Sequence, residues 1–401
     1  MSPSNLAGDP PCLPAAGDAM PVARPLVLRA VRRPFDAIAP DCWDALAAAN
    51  PAATPFSRWA FHKAWWDAYG ANAHEETIAL VPAEGPDHAD PVAIAPLMHR
   101  HEVEAGDVEL RTKMRAADGP PLTPVPDDAK AVFFGASYHA DYATILGHPA
   151  HLAAAAEALA DYCAGSGDPT HPRPWDAIDL RRLRDVDPAV AALVGAFGPR
   201  EARDAWTVFV EREDVCPVAT LPEGASIDDY LGTLAKKTRH EIRRKVRRAE
   251  AAGEVALTDS PEPLADLEGF IDLHQRRWGV DGLFPETPGG AQSRVFFRRM
   301  FELFGPSGPL RLAFLTVGGK RIAAGISFET PDSILYYNAG VDPDARDLSP
   351  GVVMVEQYIR RALEHGVGRF DFLRGDESYK YEWGAHDEPI QRVLVRRTDL
   401  R

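Results

Sequence analysis

Between Asp371 and Gly384 the chain reads Asp-Phe-Leu-Arg-Gly-Asp-Glu-Ser-Tyr-Lys-Tyr-Glu-Trp-Gly, in which three carboxylates, Asp371, Asp376 and Glu377, bracket two cations, Arg374 and Lys380. A carboxylate there can take the proton of an attacking amine while a cation steadies the oxyanion that develops on an acyl carbon. Asp371, Glu377 and Lys380 are the first candidates for catalysis, with Arg374 and Tyr379 for substrate binding. The same residues also suit a solvated turn laced by pairs such as Glu377 with Lys380, each worth tenths of a kcal/mol. Both readings stay open on the residues alone.

Two further groups carry chemistry. Ser349-Pro350-Gly351-Val352 reads as a helix start: Ser is a good N-cap, Pro suits the first helical position, and Gly lets a ligand approach. Its amides and dipole favour a phosphate, so Ser349, Gly351 and Val352 are the candidate cofactor-binding residues. His274, Arg277 and Trp278 share a helix with Phe270, where Phe270, His274 and Arg277 fall on one face. His274 serves there as a second base or as a buried structural residue, and Arg277 offers a bidentate fork to substrate.

The strongest electrostatic feature is the helix expected over 227–252, where eight Lys/Arg stand against one Glu between Lys236 and Arg248. Lys236, Lys237, Arg239, Arg243 and Arg244 form its candidate anion-binding face. Leu231, Leu234, Thr238, Ile242, Val246 and Ala249 form an apolar stripe that docks the other side. A solvated face, a polyanion such as tRNA, and an acidic acyl carrier protein all fit. The face lacks aromatics, which disfavours stacking on single-stranded nucleic acid.

The elements that must position these groups come from a chain of 401 residues, longer than one core usually supports, so two domains are expected. The net charge of -15 argues against general affinity for DNA or anionic membrane. Four widely spaced cysteines without ligand spacing fit a reduced cytoplasm, the scattered histidines support no metal site, and no apolar run is long enough to span a bilayer. Residues 1–24 read as a tail. The first half offers a helix at 59–69, strands at 77–82, 91–101 and 131–135, a helix at 151–165 and a strand at 175–180. The second half repeats that order, with strands at 310–317, 320–328 and 333–340, a helix at 350–365 and a strand at 369–373. Trp59, Trp65 and Trp66 suit either core or a sugar or peptide platform.

The segment 371–384 resembles the C-terminal signature of the BioF2-like, CelD/BcsL-type acetyltransferases, a branch of the GNAT superfamily related to the FemAB peptidyltransferases. Phe270 to Trp278, Ile322-Ala-Ala, Ser349-Pro-Gly, Phe133-Phe-Gly and Asp141-Tyr follow in the family's order. The resemblance implies an α/β fold of two tandem GNAT-like (acyl-CoA N-acyltransferase) domains, 25–205 and 206–401, each a mixed central sheet flanked by helices. It also implies transfer of an acyl group from acyl-CoA to a small-molecule or glycan amine, a lysine at the Lys380 position that contacts substrate, and a link to polysaccharide or cell-envelope metabolism. The chain departs from typical GNAT enzymes in lacking the Q/R-x-x-G-x-G/A loop. That leaves acyl carrier protein or aminoacyl-tRNA as alternative donors, and a catalytically silent scaffold as the alternative to an enzyme.

Overall fold

The computed structural model describes residues 26–99, 121–126, 128–165 and 175–399. The tail expected over 1–24, with Cys12, lies outside the described residues, as does His101 at the end of the strand expected over 91–101.

The first half runs β1 (Leu28–Arg32), α1 (Pro40–Ala49), α2 (Trp59–Tyr69), β2 (His74–Glu75), β3 (Ile78–Pro82), β4 (Ala93–Ala95), β5 (Leu97–His99), β6 (Ala131–Phe134), β7 (Leu146–Gly147), α3 (Pro149–Ala164), β8 (Ala177–Arg184), α4 (Pro188–Phe197) and α5 (Glu201–Asp204). The second runs β9 (Trp206–Thr220), α6 (Ile227–Thr233), α7 (Lys236–Ala252), β10 (Val255–Asp259), α8 (Pro263–Trp278), α9 (Pro288–Phe304), β11 (Leu310–Val317), β12 (Lys320–Glu329), β13 (Ser333–Val341), α10 (Pro350–Glu364), β14 (Arg369–Asp371), α11 (Ser378–Glu382) and β15 (His386–Arg397).

Eleven strands form one sheet in the order β10-β11-β12-β13-β14-β9-β15-β8-β6-β5-β2, and β1-β3-β4-β7 form a second. Each half contains one parallel pair, β6 with β8 and β13 with β14, joined across a long helix, α3 or α10. A parallel neighbour needs such a crossover, so this is the feature that repeats. The last strand, β15, pairs with β9 on one side and β8 on the other, which welds the two halves into a single sheet.

Pro96 separates β4 from β5, where one strand was expected, and sends them to different sheets; its carbonyl accepts from Gly135 instead of extending a ladder. The helix expected over 227–252 is two helices, because Leu234 and Ala235 adopt extended backbone between α6 and α7. Its stripe still docks: Leu231, Ile242, Val246 and Ala249 are buried. Trp65 is fully buried, and Phe56, Phe61, Trp65 and Tyr69 join Phe270, Phe296, Phe297 and Phe328 in one core that crosses the seam. Trp59 and Trp66 pack beside Trp43 in a smaller neighbouring cluster, so the tryptophans build core rather than a platform. Truncating one of the buried aromatics to Ala would cost about 3–5 kcal/mol.

Candidate functional site

The parallel pair of the second half is short. Ser333, Ile334 and Leu335 pair with Arg369, Phe370 and Asp371, and there the ladder ends. Beyond it β13 stays with β12 as far as Val341, whereas the chain after β14 follows β9 through bonds from Phe372 to the Pro217 carbonyl and from Gly375 to that of Val215. A wedge opens between Tyr336–Val341 and Phe372–Gly375. The register shift between Ile326 and Ser327 leaves Tyr337 as an extra residue on β13, which sharpens the divergence. Past Leu335 the edge of β13 that faced β14 has no strand partner among the described residues.

Helix α8 closes one side of the wedge. Gly340 lets it come close, since a Cβ there would lie 2.4 Å from the His274 amide nitrogen. His274 is buried, meets Phe284 edge-on and Trp278 at a tilt, and burial lowers its pKa to about 4, so the ring is neutral at pH 7. It also bonds Asn338 of β13, a residue that the sequence did not single out. Arg277 lies over the Trp278 ring at 4.6 Å, and its charge acts on His274, Tyr336 and Tyr379. The structure therefore brings His274, Arg277, Trp278 and Tyr379 together; Trp278 and Tyr379 are exposed at the rim and Tyr336 is buried at the floor.

Lys380 is 2 % exposed, and its ammonium donates to the carbonyls of Leu373, Arg374 and Gly375 at 2.9, 2.9 and 3.0 Å, with Glu377 at 2.9 Å. All of its donors are used. It holds a turn in which Leu373 and Gly375 have φ of 59° and 112°, a conformation that costs energy at Leu373. Asp371 is likewise committed: one oxygen accepts from the Leu373 amide and the other from the Tyr142 hydroxyl, each at 2.8 Å. Burial raises its pKa to about 6. Arg374 meets Asp141 at 3.2 Å. Asp141 and Tyr142, which follow β6, thus bind the turn that follows β14. The Asp-Tyr pair was visible in the sequence, but its partners lie more than 200 residues away.

Ser349 does not cap α10. Its φ and ψ are both 54°, a left-handed conformation that turns the hydroxyl away from the helix amides; the hydroxyl accepts instead from Arg248 of α7 at 2.8 Å. Gly351 faces open space, and the Val352 amide bonds back to the Ser349 carbonyl. Along α7, Arg243 pairs with Asp228, Arg244 and Lys245 with Glu241, and Arg239 donates to the Gly232 carbonyl. Lys236, Lys237, Arg247 and Arg248 have no carboxylate in ion-pair reach among the described residues, and all four are exposed. Among the described residues no His, Cys, Asp and Glu form a group able to hold a metal ion, and no helix is long and apolar enough to cross a membrane.

Residues 236–381 match a family model described as an acetyltransferase (GNAT) domain. That span runs from the first residue of α7 through the wedge to the turn held by Lys380. Over that span the chain carries a GNAT domain. Around it, the whole chain shares its fold with FemX at a TM-score of 0.52 and 12 % identity, over 91 % of this chain and 96 % of FemX. A conserved protein of unknown function from Bacteroides thetaiotaomicron VPI-5482 aligns equally well, at a TM-score of 0.52 and 12 % identity over 90 % and 98 % of the two chains. A tandem GNAT protein from the clavulanic acid biosynthesis pathway aligns at 0.44 and 12 % identity over 92 % and 98 %. No curated protein matches by sequence. The fold of the chain is that of FemX, and residues 236–381 carry the acetyltransferase domain.

Proposed function

We propose that this GNAT protein is an N-acyltransferase that moves an acyl group from acyl-CoA to an amine held at the seam between units 25–205 and 206–401. The observation that carries the reading is the divergence of β13 and β14 after three paired residues, in the strands that α10 packs against. An extended thioester arm fits such a wedge, because the unpaired main chain can hold it as another strand would. The donor's phosphates would lie at the start of α10, where Gly351 leaves room and Arg248 adds positive charge. Arg277, Tyr379 and Trp278 rim the opening for substrate, while Lys380 and Asp371 act as positioning residues by fixing the turn.

In this reading the amine's lone pair attacks the acyl carbon, the carbon–sulfur bond breaks, and the thiol leaves with the proton released from nitrogen. Glu377, Asp376 and their neighbours keep the acceptor side acidic. A glycan or cell-envelope amine in the cytoplasm is the acceptor we favour; Cys42, Cys163 and Cys216 are free thiols, as a reducing compartment requires.

A second reading has a specific support. The unpaired cations of α7 suit an anionic macromolecule, and the shared fold with FemX makes aminoacyl-tRNA the donor to compare with an acyl carrier protein. Thermal stability of the full chain against acetyl-CoA, long-chain acyl-CoA, bulk tRNA and acyl carrier protein separates them, since a ligand of the native state raises the midpoint. A shift with acyl-CoA that weakens in Gly351→Asp supports the first reading. A shift with tRNA alone, steep in salt, overturns it.

A further inference from the structure

One buried polar cluster at the seam is not used by the reading above. It lies where the ladders on both sides of β15 slip: Glu213 is the extra residue on β9, and β8 carries its own irregularity at Arg182, whose φ is 68°. The Arg182 amide donates to Glu213 at 2.8 Å, its guanidinium pairs with the same carboxylate, and its Nε donates to the Ala140 carbonyl at 3.0 Å. A bulge that places a left-handed, non-glycine residue against a buried carboxylate costs energy, and such features concentrate at functional sites.

Asp214 sits beside this bulge. The Gly375 amide bonds the Val215 carbonyl at 3.0 Å, which presses the Arg374-Gly375-Asp376 turn against it. The charged groups acting on Asp214 are Arg374, Glu213 and Asp376. Four carboxylates, Asp141, Glu213, Asp214 and Asp376, therefore gather around Arg182 and Arg374, with Arg181, itself paired with Asp179, at the edge. Asp141 takes Arg374 and Glu213 takes Arg182, so Asp214 has no ion pair among the described residues. Its Oδ1 accepts from the Val215 amide at 2.8 Å, but its Oδ2 is buried without a hydrogen-bond partner, in a residue only 3 % exposed. Leaving such an acceptor unmet is costly, and burial raises its pKa to about 6.

A surplus of carboxylate with an unmet acceptor on Asp214 fits a cation that donates hydrogen bonds. Asp371 has both oxygens occupied, and Glu377 is tied to Lys380. We propose that Asp214 receives the ammonium group of the amine substrate and accepts its proton, with Asp376 alongside. One N–H bond breaks, the proton passes to Oδ2, and nitrogen keeps the electron pair with which it attacks the acyl carbon. Asp376 is half-buried and Tyr379 exposed, so the amine enters from their side. This inference rests on the N-acyltransferase reading and adds the residue that makes the nucleophile.

The test uses the full chain with acetyl-CoA and a panel of primary amines (glucosamine, putrescine, lysine), reading release of free thiol from pH 4.5 to 9. The wild type should show an acid limb near pH 6. Asp214→Asn, with the same shape and no basic oxygen, should lose about 100-fold or more in turnover and lose that limb, while keeping the thermal shift with acetyl-CoA. Turnover in Asp214→Asn within a few-fold of wild type, with the limb in place, overturns the assignment and leaves the enzymatic reading standing. No amine-dependent thiol release and no acetyl-CoA shift in the wild type overturns both.

Discussion

Tyr142, contributed by the first unit, donates a 2.8 Å hydrogen bond to Asp371, the last residue of β14 in the second. This bond ties the mouth of the wedge to the seam, so loss of the hydroxyl should be felt in both units. Tyr142→Phe leaves a buried carboxylate oxygen unmet and should cost about 1–3 kcal/mol, measured by urea unfolding of the whole chain. Turnover should fall further than donor affinity, because the turn after β14 loses its tether. Unchanged unfolding would show that Asp371 needs no partner from the first unit.

Burial raises both Asp214 and Asp371 to about 6, above the ordinary carboxylate value of 3.8. The folded chain then holds more protons than the unfolded one between about pH 4 and 6. Stability from these two groups is therefore present below pH 4 and is lost as pH rises through 6. A neutral isostere removes that loss. Asp214→Asn should melt no lower than wild type at pH 5 and higher at pH 8, with the gap between the two pH values approaching about 3 kcal/mol as an upper limit. A gap that shrinks with rising pH would mean that Asp214 titrates low and is paired.

Lys380 supports three carbonyls at once. Lys380→Met should destabilise by about 3 kcal/mol, since buried acceptors lose charged donors. The acid limb of the pH profile should stay where it was, which distinguishes a positioning residue from a proton carrier. The acceptor KM of a stabilised background carrying this change should rise as the turn loosens.

Much of this was legible in the sequence, and the reasons are physical. The apolar runs of β11 to β13 and the Ser-Pro-Gly start of α10 are local signals, and the expected bounds fell within a few residues of the observed ones. Arg277, Trp278 and Tyr379, read from the sequence as substrate-binding residues, lie on a helix and a turn that flank one wedge. What stayed hidden is long-range. β9 contains Glu211, Arg212, Glu213 and Asp214, charges that no strand pattern advertises, and it is a strand because β14 and β15 pair with it on either side. Asp214 was not singled out in the sequence, and only the fold buries it. Lys380 was read as catalytic from its charge, whereas the three carbonyls that it holds come from backbone that only the fold brings together. Ser349 looked like a cap because the residue type is right; its left-handed backbone and the bond that it accepts from Arg248 exist only in the fold.

Gly340 offers a prediction that separates packing from chemistry. A Cβ would lie 2.4 Å from the His274 amide nitrogen, backbone that cannot swing aside as a side chain would. Gly340→Ala must push α8 off β13, at a cost of about 1–3 kcal/mol. His274, Arg277 and Trp278 all ride on α8, so acceptor KM should rise while the pH profile keeps its shape. A variant with wild-type stability and kinetics would show that α8 can slide without disturbing the wedge.

Helix α7 carries its cations in two groups, and the two should respond differently. Arg248 reaches the start of α10 through Ser349, so Arg248→Ala should raise the KM for acyl-CoA by about tenfold with little change in kcat, as expected for a phosphate contact made equally in ground and transition states. Lys236 and Lys237 lie at the opposite end of the helix, about 16 Å away at 1.5 Å per residue. Reversing both to Glu should leave acetyl-CoA kinetics alone if free CoA is the donor. If the donor is carried by a nucleic acid, the same double change should weaken binding and flatten its salt dependence by about two charges. If the donor rides on an acidic protein, it should weaken binding with a shallower salt response. The KM for acetyl-CoA, measured with the double variant beside Arg248→Ala, therefore tells which part of α7 meets the donor.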